Sequence, residues 1–179
     1  FGLAAKYRNP VLLIGDGLIG QMMAPVDFAG RTAPPPLDTS EWATTGCAGR
    51  EPHIVKTLFL DPNVLEPRNR KLRDKYEQMK REEVRFEAYR CDDAPELLVV
   101  AYGTTARVVR TAIDRLREGG AKIGMFRPIS VFPFPDEPLR QLAHQPSIKN
   151  VLVVEMSMGQ MLEDVERALQ GRRPLHFYG

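Results

Sequence analysis

A chain of 179 residues is long enough for one compact α/β domain plus a fragment, and 43% hydrophobic with 27% charged residues is the ordinary composition of a soluble globular protein. A net charge of +2 supplies no basic field for nucleic acid, no apolar run reaches membrane-spanning length, and two cysteines, Cys47 and Cys91, make neither a C-x-x-C nor a cluster. That spacing argues against a zinc or iron–sulfur site built by this chain alone, and two unpaired cysteines suit a reducing, cytoplasmic setting. The chain opens at Phe1 with no charged n-region, so it reads as an internal piece of a longer polypeptide.

The apolar run Val11 to Ile14 leads into Gly15-Asp16-Gly17-Leu18-Ile19-Gly20, a literal G-x-G-x-x-G after a strand-like segment. A dinucleotide turn needs a full helix after the third glycine, then a parallel strand that ends in an acidic residue for the ribose. Here Pro25 stops the helix within two turns, and residues 29 to 37 are no buried strand to deliver Asp38. Asp16 would also set a negative charge where a pyrophosphate must approach. The stretch is read as strand, tight turn and short helix, with Asp16 accepting turn N–H bonds.

From Arg31 to Gly49 the chain holds Pro34-Pro35-Pro36 and little periodicity, so it reads as an extended connector, with Trp42 as an anchor against a neighbouring domain. A charged helix follows at about 66–87. Leu72, Tyr76 and Met79 form its narrow apolar stripe, and Glu66–Arg70, Arg70–Asp74 and Glu77–Arg81 are opposite charges at i,i+4.

The last half alternates buried strands with amphipathic helices. Leu97 to Tyr102 is a continuous apolar run, the mark of a strand covered on both faces. Gly103-Thr104-Thr105 then opens a helix with Val108, Val109, Ala112, Ile113 and Leu116 on one face, capped by Thr104 or Thr105 and ended at Gly119-Gly120. A second strand runs from about Lys122 to Phe126. A proline-bearing loop follows from Arg127 to Pro135, with room for an edge strand, and then a short helix capped by Asp136. Val151 to Val154 is a third strand. Ser157-Met158-Gly159-Gln160 has capping-box spacing before a helix that carries Met158, Met161, Leu162, Val165, Ala168 and Leu169 and ends at Gly171. The fold class is therefore α/β, an open and mostly parallel sheet flanked by helices.

Taken together, several stretches are similar to the alpha-type subunits of 2-oxoacid:ferredoxin oxidoreductases. They are Asn9-Pro10-Val11 through Gly15-Asp16-Gly17, Gly20-Gln21-Met22-Met23 with Pro25-Val26, and Lys75-Tyr76. Asp92-Asp93-Ala94, Val100-Ala101-Tyr102-Gly103, Arg127-Pro128-Ile129 with Pro133-Phe134-Pro135, and Val153-Val154-Glu155 with Gly159-Gln160-Met161 follow in the same order. The resemblance spans essentially the whole chain; the branched-chain (2-oxoisovalerate) type is nearest and the 2-oxoglutarate type close. Ala24 and Asp27 stand where the family pattern has glutamates, so no acidic role can be carried over at 24.

The resemblance implies oxidative decarboxylation of a 2-oxoacid, acyl transfer to coenzyme A and reduction of ferredoxin, with thiamine diphosphate and magnesium forming the carbanion. It implies residues 1–30 as the closing strand and helix of a pyrimidine-type thiamine domain. Residues 31–88 are then the connector, and 89–179 a domain like the C-terminal domain of transketolase. Diphosphate and metal ligands would lie on a beta subunit, and iron–sulfur clusters on beta and delta- or gamma-type subunits. This fragment would be mainly scaffold and inactive alone, with no catalytic residue and no metal site of its own.

One candidate site comes from the residues themselves. Gly103, Thr104 and Thr105 end a parallel strand and begin a helix, where backbone N–H groups attract anions. Arg107 lies one turn on, and Arg127 ends the next strand. The five could form an anion pocket, or they could be an ordinary βα turn with two surface arginines. Glu155 is read as a pairing group at the sheet's end before it is read as a catalytic carboxylate. Ser157 is read as an N-cap. Met22, Met23, Met156, Met158 and Met161 are core or interface filler, and His53, His144 and His176 match no metal spacing. The alternative to the enzyme complex is a non-catalytic α/β module that binds an anionic ligand or a protein partner. A nucleotide-dependent oxidoreductase comes third.

Overall fold

The computed structural model describes residues 1–33 and 35–179; Pro34 of the proline-rich connector lies outside the described residues. The chain divides into two units, one of Phe1–Ile14 with Met22–Tyr76 and one of Gly15–Gln21 with Glu77–Gly179.

The second unit is built on a five-stranded sheet. Its strands are β1 (Phe86–Tyr89), β2 (Leu97–Val100), β3 (Ile123–Pro128), β4 (Asn150–Val154) and β5 (Leu175–Tyr178), in the spatial order β1-β3-β2-β4-β5. Strands β2 to β5 run parallel and β1 is antiparallel on the edge beside β3. In the parallel ladders Val100 faces Phe126 on one side and Val153 on the other. This is the open, mostly parallel sheet expected from alternating strands and helices.

The pleat sorts each strand's side chains between two layers. Leu98, Val100, Phe126, Val151 and Val153 point to one face, where they pack with Leu139 and Ala143 of α5 (Asp136–Ala143) and Met161, Val165, Ala168 and Leu169 of α6 (Gln160–Leu169). Val99, Ala101 and Met125 point to the other face, against Ala106, Val109 and Ile113 of α4 (Gly103–Glu118). Leu98, Val100, Phe126, Leu139, Val151 and Val153 have no exposed surface, so each contributes about 1.5–3 kcal/mol of burial relative to a solvated side chain. Gly124 is required by a close approach: a Cβ there would lie 2.9 Å from both the Arg90 carbonyl oxygen and Cys91 Sγ.

Several local expectations change. The charged helix, α3, spans Pro62–Glu82 and stops before 87 because Phe86–Tyr89 is a strand, whose Phe86 ring stacks on Phe126 at 5.1 Å. Strand β5, after the last helix read from the sequence, forms the other edge. On α3, Glu66–Arg70 forms at 2.6 Å, while Asp74 pairs with Arg73 and Glu77 with Lys80 instead of their i,i+4 partners. The N-cap of α4 is Tyr102 rather than a threonine, that of α6 is Gly159 rather than Ser157, and that of α5 is Pro135, with Asp136 as the first helical residue. Asp136 is turned instead to Arg167 of α6, at 2.7 Å. Gly120, at φ +87°, ends α4 in the left-handed region as expected.

The first unit carries two helical pieces, one short and one long, and long irregular stretches. Helix α1 spans Gly2–Tyr7, and α3 belongs to this unit as far as Tyr76. Lys75 Nζ donates to the Tyr7 carbonyl oxygen (3.3 Å) and to Asn9 Oδ1 (3.0 Å), which ties α3 to the end of α1. Trp42 lies under the Arg8 guanidinium, 5.1 Å from the ring centroid, and His53 Nδ1 is 2.9 Å from the Ala43 carbonyl oxygen. Val11 to Ile14, expected as a strand, pairs with no strand among the described residues and is exposed, with Leu13 fully so (101%).

Candidate functional site

The carboxyl ends of β2, β3 and β4 meet on one edge of the sheet, the edge where open α/β sheets hold their ligands. Beyond them the chain continues as Tyr102-Gly103-Thr104 after β2, through Arg127 at the end of β3, and as Glu155 after β4. Two helices, α4 and α6, start on this edge. Each leaves N–H groups without intrahelical partners, and each N-terminus carries partial positive charge. The chemistry of the edge depends on what satisfies them.

At α6 the partner is Glu155, which is 2% exposed. Its Oε2 accepts the Met161 N–H at 3.1 Å and the Ser157 hydroxyl at 2.6 Å, and its Oε1 accepts the Leu162 N–H at 3.3 Å. Bonds to a charged acceptor contribute about 1.5–3 kcal/mol each, net of the exchange with water. Glu155 is thus a structural anion, and its oxygens are committed to N–H and O–H donors. Ser157 serves that carboxylate instead of capping the helix. Met158 and Met156, expected as filler, are 87% and 76% exposed, whereas Met161 is buried.

At α4 the partner comes from the short helix α2 (Gly17–Gln21) and the turn before it. Asp16 Oδ1 accepts the Ile19 N–H at 2.8 Å, and Asp16 Oδ2 accepts the Thr104 N–H at 3.2 Å. The Ile19 N–H bond foremost holds the Asp16 carboxyl below its ordinary value. Gly103 sits at φ +56°, a conformation that side chains rarely adopt, and a Cβ there would stand 3.4 Å from Asp16 Oδ2. Asp16 therefore accepts turn N–H bonds, as expected, and also reaches a helix 88 residues further along the chain.

The five residues of the expected anion pocket separate into two settings. Gly103 and Thr104 sit with Asp16, and Thr105 follows in the first turn of α4. Arg107 lies exposed on the same helix. Arg127 Nη1 is 3.3 Å from Glu87 Oε2, and Glu87 is also paired with Arg110. That pair continues through Tyr89, whose ring lies 4.3 Å from the Arg110 guanidinium and whose hydroxyl donates to Asp114 at 2.6 Å. Two buried polar atoms on this edge, Thr104 Oγ1 and Arg127 Nε, have no hydrogen-bond partner. The Glu87–Arg127 link was not legible in the sequence because strand β1 was read as the tail of a helix.

Among the described residues no group of three or more His, Cys, Asp or Glu is placed to hold a metal ion. Cys47 is exposed, and Cys91 is buried with its Sγ 3.3 Å from the Tyr89 carbonyl oxygen and 3.5 Å from that of Met125. Burial pushes the Cys91 thiol above its ordinary pKa, which disfavours the thiolate that metal ligation needs. Among the described residues no donor set fits an iron–sulfur cluster or a protein-held metal ion. No helix among the described residues is long and apolar enough to cross a membrane.

Comparison with known proteins places this geometry. Over 168 residues the chain is 44% identical to the ketoisovalerate oxidoreductase subunit VorB of Methanothermobacter marburgensis, covering 94% of this chain and 47% of that protein. Identity is 30% to the 2-oxoglutarate synthase subunit KorA of Methanocaldococcus jannaschii, covering 93% of this chain and 50% of the relative. The chain thus spans about half the length of the curated relatives it matches. A solved 2-oxoglutarate:ferredoxin oxidoreductase from Magnetococcus marinus, with 2-oxoglutarate, coenzyme A and succinyl-CoA bound, superposes with a TM-score of 0.57. It does so at 21% identity over 81% of this chain and 25% of that one, a likeness of fold. Residues 95–179 match the model of pyruvate:ferredoxin oxidoreductase core domain II. Through that domain, and through near full-length similarity to ketoisovalerate oxidoreductase subunits, the chain belongs to the 2-oxoacid:ferredoxin oxidoreductase family.

Proposed function

We propose that this chain is a module of the alpha-type subunit of a thiamine diphosphate-dependent 2-oxoacid:ferredoxin oxidoreductase. The complex would convert a branched-chain 2-oxoacid, coenzyme A and oxidised ferredoxin to an acyl-CoA, carbon dioxide and reduced ferredoxin. The observation that carries this reading is the gap in identity between 44% to a ketoisovalerate oxidoreductase subunit and 30% to a 2-oxoglutarate synthase subunit, at similar coverage of this chain.

Within such a complex the module acts as scaffold. As the family resemblance implies, thiamine diphosphate, magnesium and the iron–sulfur clusters would belong with a beta subunit and delta- or gamma-type subunits. Residues 1–30 would end a preceding thiamine pyrimidine-type domain, 31–88 form the connector, and 89–179 the transketolase C-terminal-like domain. The exposure of Leu12, Leu13 and Ile14 (82%, 101% and 77%) supports a strand whose partners lie on other polypeptide. The complex would work in the cytoplasm.

The test is co-expression of the full-length subunit with its partners, followed by coenzyme A-dependent reduction of ferredoxin across several 2-oxoacids. Highest kcat/KM with 2-oxoisovalerate is the expected result. A preference for 2-oxoglutarate would correct the substrate, and no turnover with any 2-oxoacid would overturn the reading.

A second reading, an anion pocket at Gly103, Thr104, Thr105, Arg107 and Arg127, is supported by the unpartnered Thr104 Oγ1 and Arg127 Nε. It requires Asp16 to leave the α4 N-terminus. Arg107→Ala that leaves turnover and coenzyme A saturation unchanged would sink it.

A further inference from the structure

We infer that Asp16 is a positioning residue, the internal anion of the α4 N-terminus, which pins the segment Gly15–Gln21 to the carboxyl edge of the sheet. Three observations carry this. One carboxylate joins two separate stretches of chain, accepting the Ile19 N–H at 2.8 Å and the Thr104 N–H at 3.2 Å. The 16-residue helix α4 has no side-chain cap of its own, since its N-cap is Tyr102 without a capping hydrogen bond. The approach also depends on Gly103, whose positive φ would strain any other residue and whose missing Cβ leaves the Asp16 oxygen its place at 3.4 Å.

The other helix on this edge follows the same arrangement with Glu155, which supports an edge organised by the chain's own carboxylates. A carboxylate at a helix N-terminus makes charge-assisted bonds to the first free N–H groups and meets the positive end of the helix dipole. An aspartate between two glycines can reach a distant helix because the flanking backbone is unhindered. Asp16 thereby does two things: it orders G-D-G-L-I-G against α4, and it keeps external anions from the Gly103–Thr104 amides. The inference rests on this chain's geometry and stands apart from the identity of the 2-oxoacid.

The test is hydrogen exchange by mass spectrometry on the full-length subunit, comparing wild type with Asp16→Ala and Asp16→Asn, with and without inorganic phosphate. In Asp16→Ala the amides of Ile19 and Thr104 should exchange about tenfold faster, as expected for the loss of a charge-assisted bond, while β2 and β4 keep their protection. Asp16→Asn, which keeps an oxygen acceptor without the charge, should fall between. Excess phosphate should restore protection at Thr104 in Asp16→Ala and leave wild type unchanged. If Asp16→Ala also loosens β2 and β4, Asp16→Asn is read by the same criteria. Unchanged exchange at Thr104 overturns the inference. So does faster exchange that phosphate does not restore, which would make Asp16 an ordinary turn acceptor. Phosphate protection of Thr104 in wild type would also overturn it, and would favour the anion pocket.

Discussion

Residues 97–169 and residues 9–60 are both rich in aliphatic side chains, but the structure treats them in opposite ways. In the first stretch Leu98, Val100, Val151 and Val153 are fully buried between helical layers; in the second Leu12, Leu13, Ile54, Leu58 and Leu60 are all more than 70% exposed. The difference lies in partners, not in composition. A buried strand needs a neighbour for its ladder and a helix for each face. The stretch from Leu97 onward contains its own neighbours, in β3 and β4, and its own helices. The run Val11 to Ile14 has the same apolar character with no ladder partner among the described residues. Exposed apolar runs of this kind mark protein or membrane contacts, ligand grooves or aggregation-prone surface.

The comparison can be broken most forcefully in the sheet. Phe126 is fully buried at the centre of the larger layer and stacks with Phe86, so Phe126→Ala should destabilise this unit by about 3–5 kcal/mol in urea unfolding. A change below about 1 kcal/mol would mean that the layer is not packed as described. Glu155→Gln tests the internal anion at α6: it keeps shape and one acceptor but removes the charge, and should cost about 1–3 kcal/mol, with faster exchange of the Met161 and Leu162 amides. The smallest effect is expected at Leu13, where Leu13→Ser should change the stability of this chain by no more than about 0.5 kcal/mol. The same substitution should instead weaken assembly of the full-length subunit with its partners, read as a shift in the concentration at which the complex forms. A large loss of stability in this chain by itself would show that the run is already packed.

Much of the second unit was legible in advance because its elements announce themselves locally. Continuous apolar runs at Leu97–Val100 and Val151–Val154, separated by helices with one apolar face, leave little choice but a parallel sheet. The two edge strands were missed for opposite reasons. Phe86-Glu87-Ala88-Tyr89 follows a long charged helix and continues its pattern by eye; only pairing with β3 makes it a strand. Leu175-His176-Phe177-Tyr178 is four residues long and mostly exposed, and its register comes from β4. Helix caps were read one to three residues away from their places, since cap choice depends on which distant group satisfies the first N–H. At Ser157 that group is Glu155, and near Thr104 it is Asp16.

The sequence by itself determined the class of fold, the order of the central elements, the family resemblance and the unsuitability of G-D-G-L-I-G as a nucleotide turn. These follow from periodicity, proline placement and motif order, all of which are properties of neighbouring residues. Tertiary structure alone decided that Asp16 serves Thr104, that Arg127 is joined to Glu87, and that Val11 to Ile14 is left without a ladder partner among the described residues. Contacts between residues 40 and 88 positions apart leave no periodic trace in the chain, because they are selected by how the layers bring separate strand ends and helix starts onto one edge.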